Sequence, residues 1–306
     1  MGILHHVATL RQRGGRNPLP VKKSPTKSHT LPLFVLILLS CIVGCSIGSH
    51  IFSSKKEVRE TPGTYGLRYQ DVWFTSADGV QLNGWYIPGK PQVPPLLFFH
   101  GNGGNLSDNV PYVRLLHDRG FPIFIFDYRG FGKSRGKPLG ENDLYNDARG
   151  ALTFLSTMGW RYENTIFYGQ SMGGAVALQM ALEKQPRALV LESCFTTLSD
   201  IVKHLAPIPY YVLFWWCFDL GFDNVAKIQQ NRVPVFVIHG TKDAVAPVEM
   251  GRRLYAKAQQ PKMLYIVPNG RHCDAQEVEA TSYLQAWSKF LGTLQTRTAS
   301  RKLSKR

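Results

Sequence analysis

The sequence reads Gly169-Gln170-Ser171-Met172-Gly173 between two apolar stretches, residues 165–168 before it and residues 175–182 after it. This order predicts a strand, a sharp turn and a helix. A serine flanked in this way is typical of a nucleophile elbow, where a side chain two residues to either side would collide with the neighbouring strand and helix. The serine oxygen is then expected above the sheet, at a helix N-terminus whose dipole favours a developing anion.

Short apolar runs alternate with helical periods on both sides of this turn. The expected strands are 71–75, 80–87, 96–99, 123–126, 165–168, 188–191, 235–238 and 263–267, and the expected helices are 106–119, 141–158, 171–183, 247–258 and 275–291. The first two strands form a hairpin around Asp78-Gly79. Continuous apolar strands between helices predict an α/β fold, with a mostly parallel sheet covered by helices on both faces.

Polar residues follow three of these strands at the points where the strands end. They are His100-Gly101-Asn102-Gly103-Gly104-Asn105, then His239-Gly240-Thr241-Lys242-Asp243, then Asn269-Gly270-Arg271-His272-Cys273-Asp274. The carboxyl ends of parallel strands meet at one edge of a sheet, which is where such folds place their active sites. We therefore expect Ser171, Asp243 and His272 to lie close together.

The chain resembles the α/β-hydrolases over residues 67–291. The resemblance rests on His100-Gly101-Asn102, Asp127-Tyr128-Arg129-Gly130-Phe131-Gly132-Lys133-Ser134, Gly169-Gln170-Ser171-Met172-Gly173-Gly174 and Gly240-Thr241-Lys242-Asp243. The order serine, aspartate, histidine is also that of α/β-hydrolases. Within them the chain is similar to the branch that holds membrane-anchored α/β-hydrolase-domain proteins and serine aminopeptidase-like sequences. This implies an α/β-hydrolase fold, with a small cap inserted at about residues 195–232.

The resemblance and the chemistry together imply a catalytic triad. His272 would take the proton of Ser171 and return it to the leaving group, while Asp243 would orient and stabilise the imidazole. Backbone N–H groups of Asn102 and Met172 would form the oxyanion hole.

Other polar residues compete for roles near these strand ends. Glu192 ends the strand 188–191 and is the alternative acid, because a carboxylate there can also reach the histidine. We expect His100 to be a structural hydrogen-bonding residue, Asp127 and Arg129 to form a buried ion pair, and Asp274 to cap the last helix.

The net charge of +15 is concentrated at the two ends of the chain. Residues 1–30 contain six Lys/Arg and no acidic residue, and residues 297–306 contain five more, which leaves +4 for everything between. The basic residues therefore belong to a disordered N-terminal region at 1–30 and a tail at 293–306. This distribution argues against a nucleic-acid partner.

Residues 31–52 are predicted as a hydrophobic signal or anchor segment, and residues 53–66 as a polar linker to the hydrolase domain at 67–292. The 12-residue apolar run 31–42 is typical of a signal-peptide core. Ile42-Val43-Gly44-Cys45 resembles a lipobox, which would make Cys45 a lipidation site; the alternative is an uncleaved span. Both place the catalytic domain outside the cytoplasm, anchored to a membrane.

Neither a metal nor a cofactor is expected. No His/Cys cluster has the spacing of metal ligands, and the glycine-rich loop after residue 99 lacks the phosphate-binding patterns. Cys194, Cys217 and Cys273 give no disulfide framework.

The cap suggests an apolar substrate, because residues 208–218 are strongly aromatic. They would line an acyl-chain pocket or meet a lipid surface; alternatively, the cap only packs on the core. The leading hypothesis is a membrane-anchored serine hydrolase that cleaves esters or thioesters of apolar acyl groups. The alternatives are a serine peptidase, with Asp219 or Asp223 holding the substrate amine, and a non-catalytic binding protein. The sequence does not indicate an oligomeric state.

Overall fold

The computed structural model describes residues 52–205 and 221–303, with side chains up to residue 295. The chain divides into two compact units, Met1–Ile42 and Val43–Arg306, and all described residues belong to the second. The predicted segment 1–30, nearly all of 31–52 and the aromatic part of the cap lie outside the described residues.

Ten strands lie in the described part of the chain. They are β1 Ser53–Ser54, β2 Gln70–Thr75, β3 Gln81–Ile87, β4 Leu96–Phe99, β5 Gly103–Gly104, β6 Ile123–Phe126, β7 Ile166–Gln170, β8 Ala188–Glu192, β9 Val235–Gly240 and β10 Lys262–Val267. Every residue of β4, β6, β7, β8 and β9 is buried, as expected for strands covered on both faces.

Eight α-helices are described. They are α1 Val110–His117, α2 Glu141–Thr157, α3 Met172–Lys184, α4 Leu198–Leu205, α5 Asn224–Gln230, α6 Val248–Lys257, α7 Ala275–Val278 and α8 Ala280–Leu303. Short 3₁₀ helices occupy Pro62–Tyr65, Leu106–Asn109 and Tyr162–Asn164.

The main sheet has eight strands in the order β2-β3-β6-β4-β7-β8-β9-β10. β3 is antiparallel to both of its neighbours, β2 and β6, and the other seven strands all run in the same direction. The register places Phe99 beside Gly169 and Gln170 beside Glu192. The carboxyl ends of the parallel strands therefore share one edge, which confirms the predicted α/β architecture.

Successive residues of each strand enter two different hydrophobic layers. Leu97 and Phe99 pack in one layer with residues of α2 and α3, while Leu96 and Phe98 pack in the other with residues of α1 and α8. This alternation follows from the period of two in a strand. Helices consequently cover both faces of the sheet.

Two helices differ from the sequence expectation. The helix expected over 106–119 begins as a 3₁₀ turn and becomes α-helical at Val110, where Pro111 fits the first turn because it has no N–H to offer. The last helix is interrupted at Glu279, whose backbone is not helical, and then continues to Leu303 instead of ending at residue 291. Trp287, Phe290 and Leu294 extend its buried face.

The predicted linker, residues 53–66, forms hydrogen bonds with loops of the hydrolase domain. β1 pairs with β5, Ser53 with Gly103 and Ser54 with Gly104. Gly132 N donates to Lys55 O at 2.8 Å, which ties the same segment to a second loop. Within residues 52–205 and 221–303, every helix is too short or too polar to cross a bilayer.

Candidate active site

Ser171 stands at a strained turn between β7 and α3. Its φ of 51° and ψ of −117° lie outside the regions that side chains favour. A Cβ on Gly169 would collide with Gly173 O, and a Cβ on Gly173 would collide with Phe99 O. Both glycines are therefore sterically required, as the sequence predicts.

Backbone hydrogen bonds fix this turn to its neighbours. Ser171 N donates to Glu192 O at 2.8 Å, and Gly174 N donates to Ser171 O at 3.0 Å. The first bond connects the serine to the end of β8, so the turn cannot shift without disturbing the sheet.

Asp243 and His272 form a direct pair. His272 Nδ1 lies 2.8 Å from Asp243 Oδ2 and 3.0 Å from Oδ1. The carboxylate is held in turn by Val245 N at 3.0 Å and Ala246 N at 2.8 Å, both donating to Oδ1. This arrangement fixes the imidazole through Nδ1 and leaves Nε2 for proton transfer.

His239 contacts Asp243, a role that the sequence does not indicate. It is fully buried, and its Nε2 lies 2.7 Å from Ala246 O and 3.4 Å from Asp243 Oδ2. Burial opposes the charge on Asp243, but hydrogen bonds from His239 and His272 outweigh it and hold the pKa of this carboxyl well below its usual value. Asp243 is therefore ionised at neutral pH, as an orienting carboxylate must be.

The residues of the predicted oxyanion hole lie at the same edge of the sheet. Met172 is the first residue of α3, and Asn102 lies between β4 and β5. Asn102 Oδ1 accepts a hydrogen bond from Ser53 N at 3.1 Å, so β1 supports this loop.

One cavity of about 580 Å³ brings these groups together. Ser171, His272, Asn102 and Met172 all line it. The remainder of its wall is mainly apolar, with Phe52, Phe195 and Phe222 and, from α4, Leu198, Ile201, Val202 and Leu205. The four α4 residues follow a helical spacing of three or four, so one apolar stripe faces the cavity.

Glu192, the alternative acid, does not contact His272. Its carboxyl oxygens form hydrogen bonds with the hydroxyls of Tyr112 at 2.6 Å, Tyr168 at 2.7 Å and Tyr283 at 3.3 Å. The structure therefore places Asp243, and not Glu192, beside the imidazole.

The expected ion pair between Asp127 and Arg129 is wrong. Arg129 instead pairs with three carboxylates on and near α2, those of Asp78, Asp143 and Asp147. Both residues follow the end of β6, and Arg129 lies in a turn, so the strand period no longer places the two side chains on the same face.

Asp127 lies instead on the side of His100. Its Oδ1 accepts from Leu106 N at 3.0 Å and lies 3.6 Å from His100 Nε2. Burial raises the pKa of Asp127 to about 7 and lowers the pKa of His100 to about 4. The other ring nitrogen of His100 lies 2.8 Å from Gly101 O, which gives it the structural position expected.

Asp274 does not cap the following helix with its side chain. The carboxylate accepts from Arg271 N at 2.6 Å and Arg271 Nε at 3.1 Å. The N–H of Glu277 is bonded to the backbone oxygen of Asp274 instead. The expected capping role is therefore wrong, because the side chain folds back onto its own loop.

Cys194 and Cys273 are free thiols. The candidate lipidation residue Cys45, with Cys41 and Cys217, lies outside the described residues. Over the described ranges, no group of three or more His, Cys, Asp or Glu could hold a metal ion.

Comparisons with known proteins show the family of this chain. Residues 93–224 match the family model "Serine aminopeptidase, S33". The uncharacterized protein YfhR of Salmonella typhi is 32% identical and covers 88% of this chain and 97% of its own length. The alpha/beta hydrolase domain-containing protein WAV2 of Arabidopsis thaliana is 31% identical over 70% of this chain and 75% of its own.

The fold also has close counterparts among solved structures. The esterase Pf2001 of Pyrococcus furiosus superposes with a TM-score of 0.66 over 80% of this chain and 98% of the esterase, at 21% sequence identity. At that identity the likeness establishes the fold alone.

Proposed function

This chain belongs to the α/β-hydrolases, in their esterase and serine aminopeptidase-like family, and from that premise we propose that it is a serine hydrolase acting on esters or thioesters of apolar acyl groups. The observation that supports the proposal is one cavity lined by Ser171, by His272, whose imidazole pairs with Asp243, and by an apolar wall. Family membership alone would not choose the substrate.

The reaction divides into two steps. The Ser171 oxygen attacks the acyl carbon while its proton passes to His272 Nε2. The tetrahedral intermediate then expels the alcohol or thiol, which takes that proton. A water molecule next gives a proton to His272 and attacks the acyl-serine, and collapse of the second intermediate releases the acid and returns the proton to Ser171.

The oxyanion is assigned to the backbone N–H groups of Met172 and Asn102. Met172 opens α3, so the helix dipole adds to its hydrogen bond. One donor of this kind contributes about 3 kcal/mol to stabilising the transition state.

The apolar acyl preference is supported by the composition of the cavity wall. Phe195 and Phe222 lie with the α4 stripe in the wall that also holds Ser171. A cavity of about 580 Å³ has the size of a small-molecule site.

Labelling and turnover test this proposal. A fluorophosphonate probe should label the full-length protein and fail to label Ser171→Ala. Turnover of p-nitrophenyl esters should rise from acetyl to medium-chain acyl groups. A folded wild-type protein that is neither labelled nor active on any ester would contradict the proposal and favour a non-catalytic binding role.

The match to serine aminopeptidases supports a second candidate, a peptidase of the same fold. An aminopeptidase needs a carboxylate for the substrate amine, and Asp108 and Glu277 line the cavity. Asp223, considered from the sequence, instead accepts from Ala226 N at the start of α5. Aminoacyl anilides separate the candidates: cleavage faster than that of the matched esters would favour the peptidase.

We also propose that residues 31–52 anchor the protein to a membrane, with the hydrolase domain outside the cytoplasm. The proposal rests on the apolar run and the basic residues before it. Carbonate extraction should leave the full-length protein in the membrane fraction. Mass spectrometry of the mature N-terminus would distinguish lipidated Cys45 from an uncleaved span, and a protein found wholly in the soluble fraction would contradict both.

A further inference from the structure

A buried carboxyl that the mechanism does not use lies beneath the candidate active site. Glu192 is 1% exposed and ends β8. Three tyrosine hydroxyls surround it: Tyr112 from α1, Tyr168 from β7 and Tyr283 from α8. We call these four residues the glutamate–tyrosine cluster.

If Glu192 is ionised, the hydrogen bonds of this cluster require one more proton than the three tyrosine hydroxyls supply. The Tyr112 hydroxyl lies 2.6 Å from Glu192 Oε1 and 2.7 Å from Cys273 O, but it has one proton to donate. A carbonyl oxygen cannot donate. If Glu192 carries a proton on Oε1, it donates to Tyr112, and Tyr112 donates to Cys273.

The other carboxyl oxygen fits the same assignment. Gln170 Nε2 donates to the Tyr168 hydroxyl at 3.0 Å, so Tyr168 is free to donate its own proton to Glu192 Oε2. Tyr283 donates to the same oxygen. Every proton in the cluster then has an acceptor.

The cluster also connects the main chain beside His272 with the main chain at Ser171. Cys273 follows His272 directly and has a φ of 54°, a conformation that side chains rarely adopt. Its N–H donates to Ser193 Oγ at 3.1 Å, and its carbonyl accepts from Tyr112. Glu192 O meanwhile accepts from Ser171 N.

We propose that Glu192 is a positioning residue: it is protonated in the folded protein and, through Tyr112, holds the main chain beside His272 in register with Ser171. The inference rests on the proposed function, since it assumes that His272 is the base. It also explains how a glutamate at the place of an alternative acid can serve the histidine without contacting it.

The surroundings of Glu192 favour the neutral form. Burial raises the pKa of Glu192 above its ordinary value, and the nearby Asp274 raises it further, against the hydrogen bonds from the three tyrosines. The groups that face it are Tyr112, Tyr168 and Tyr283, with Cys273 and Asp274 from the histidine loop. Within the described ranges, no Lys or Arg pairs with it.

The positioning role of Glu192 through Tyr112 is tested by a matched pair of full-length variants, Tyr112→Phe and Tyr283→Phe. Each removes one hydroxyl from the same carboxyl, but only Tyr112 also reaches Cys273. We expect Tyr112→Phe to lower kcat on a p-nitrophenyl ester by at least about tenfold, with a smaller change in KM. Tyr283→Phe should stay within about threefold of wild type. Equal losses of kcat in the two variants would overturn this positioning role.

Glu192→Gln tests the proton. Its amide can donate to Tyr112 and accept from Tyr168 and Tyr283, so we expect kcat and its pH profile to stay close to those of wild type. An inactive but folded Glu192→Gln would overturn the protonated assignment. If Tyr112→Phe does not fold, Glu192→Leu replaces it, because it removes the donor to Tyr112, and the same loss of kcat is expected.

Infrared spectroscopy separates this inference from the proposed function. A protonated-carboxyl C=O band should be present at neutral pH in the difference spectrum of wild type minus Glu192→Gln, in which the contribution of Asp127 cancels, whether or not the protein turns over an ester. Absence of the band from this difference spectrum would overturn the inference. Absence of fluorophosphonate labelling, with the band present, would instead reject the proposed function.

Discussion

At the scale of single residues, the contacts of two neighbouring carboxylates predict opposite outcomes. Asp243 contacts His272, whereas Asp274 contacts Arg271. We expect Asp243→Asn to lower kcat/KM for ester hydrolysis by about 10³–10⁴, because the amide no longer orients and stabilises the imidazole. Asp274→Asn should stay within about fivefold of wild type. Similar losses in both variants would contradict the assignment of Asp243.

The buried Asp127 predicts a pH dependence of stability. Its pKa is near 4 in an unfolded chain and about 7 in the folded protein. Its contribution to stability is therefore complete below about pH 4 and is lost as the pH rises through about 7. His100, with a pKa lowered to about 4, acts in the opposite sense and loses its contribution as the pH falls.

Replacing Asp127 removes one of these two opposed contributions. As the pH rises from 4 to 8, the free energy of unfolding of Asp127→Asn should therefore increase relative to that of wild type, by on the order of 4 kcal/mol. Urea unfolding of both proteins at several pH values measures this difference. A difference that is flat, or that falls as the pH rises, would show that Asp127 is ionised in the folded state.

The sequence predicted the positions of Ser171, Asp243 and His272 but not of the groups that support them. Strand ends and motifs can be recognised locally, so the three side chains could be assigned to one edge of the sheet. Tyr112 contacts Glu192 across 80 residues, and His239 contacts Asp243 from within a buried strand. Such contacts depend on side-chain directions in the packed molecule, which a single sequence does not specify.

At the scale of elements, α4 predicts the acyl preference. Ile201 faces the cavity from α4, whereas Ser199, on the same helix, does not line it. Ile201→Asp should raise KM for a medium-chain ester by about tenfold and change acetyl ester turnover little, because it places a charge against the acyl chain. Ser199→Asp is the matched control. Equal effects on both chain lengths would argue against an acyl site beside α4.

The same glycine-to-alanine change should have opposite effects on stability at the turn between β7 and α3 and inside α8. Gly173→Ala should destabilise the protein by on the order of 3 kcal/mol, because the added methyl group meets Phe99 O. Gly292, inside α8, has no such neighbour within 4 Å. Gly292→Ala should stabilise by about 0.5–1 kcal/mol, and thermal unfolding measures both.

The positions of strands with continuous apolar runs were predicted closely, whereas the bounds of the last helices were not. The buried strands have continuous apolar runs, so their positions followed from the sequence. The break between α7 and α8 has no glycine or proline to mark it, and the extension of α8 depends on Leu294 finding a place in the core. Tertiary packing decided both.

At the scale of the whole molecule, the segment 53–66 contacts the loop that follows β4. Asn105 Nδ2 donates to Lys55 O at 3.1 Å and Glu57 O at 2.7 Å, beside the loop that holds Asn102. A protein lacking residues 1–51 should therefore keep its ester turnover. One lacking residues 1–66 should lose at least about tenfold in kcat/KM, because this loop is no longer supported. Equal activity of the two proteins would make the segment a mere linker.

The strand order also has a consequence for biosynthesis. β10, which precedes the loop of His272, is an edge strand whose partner is β9, and it is the last strand of the sheet to leave the ribosome. The serine turn is completed much earlier. A nascent chain can therefore fold most of its sheet while it still lacks the imidazole, and hydrolytic competence should emerge only after β10 and the loop of His272 have left the ribosome.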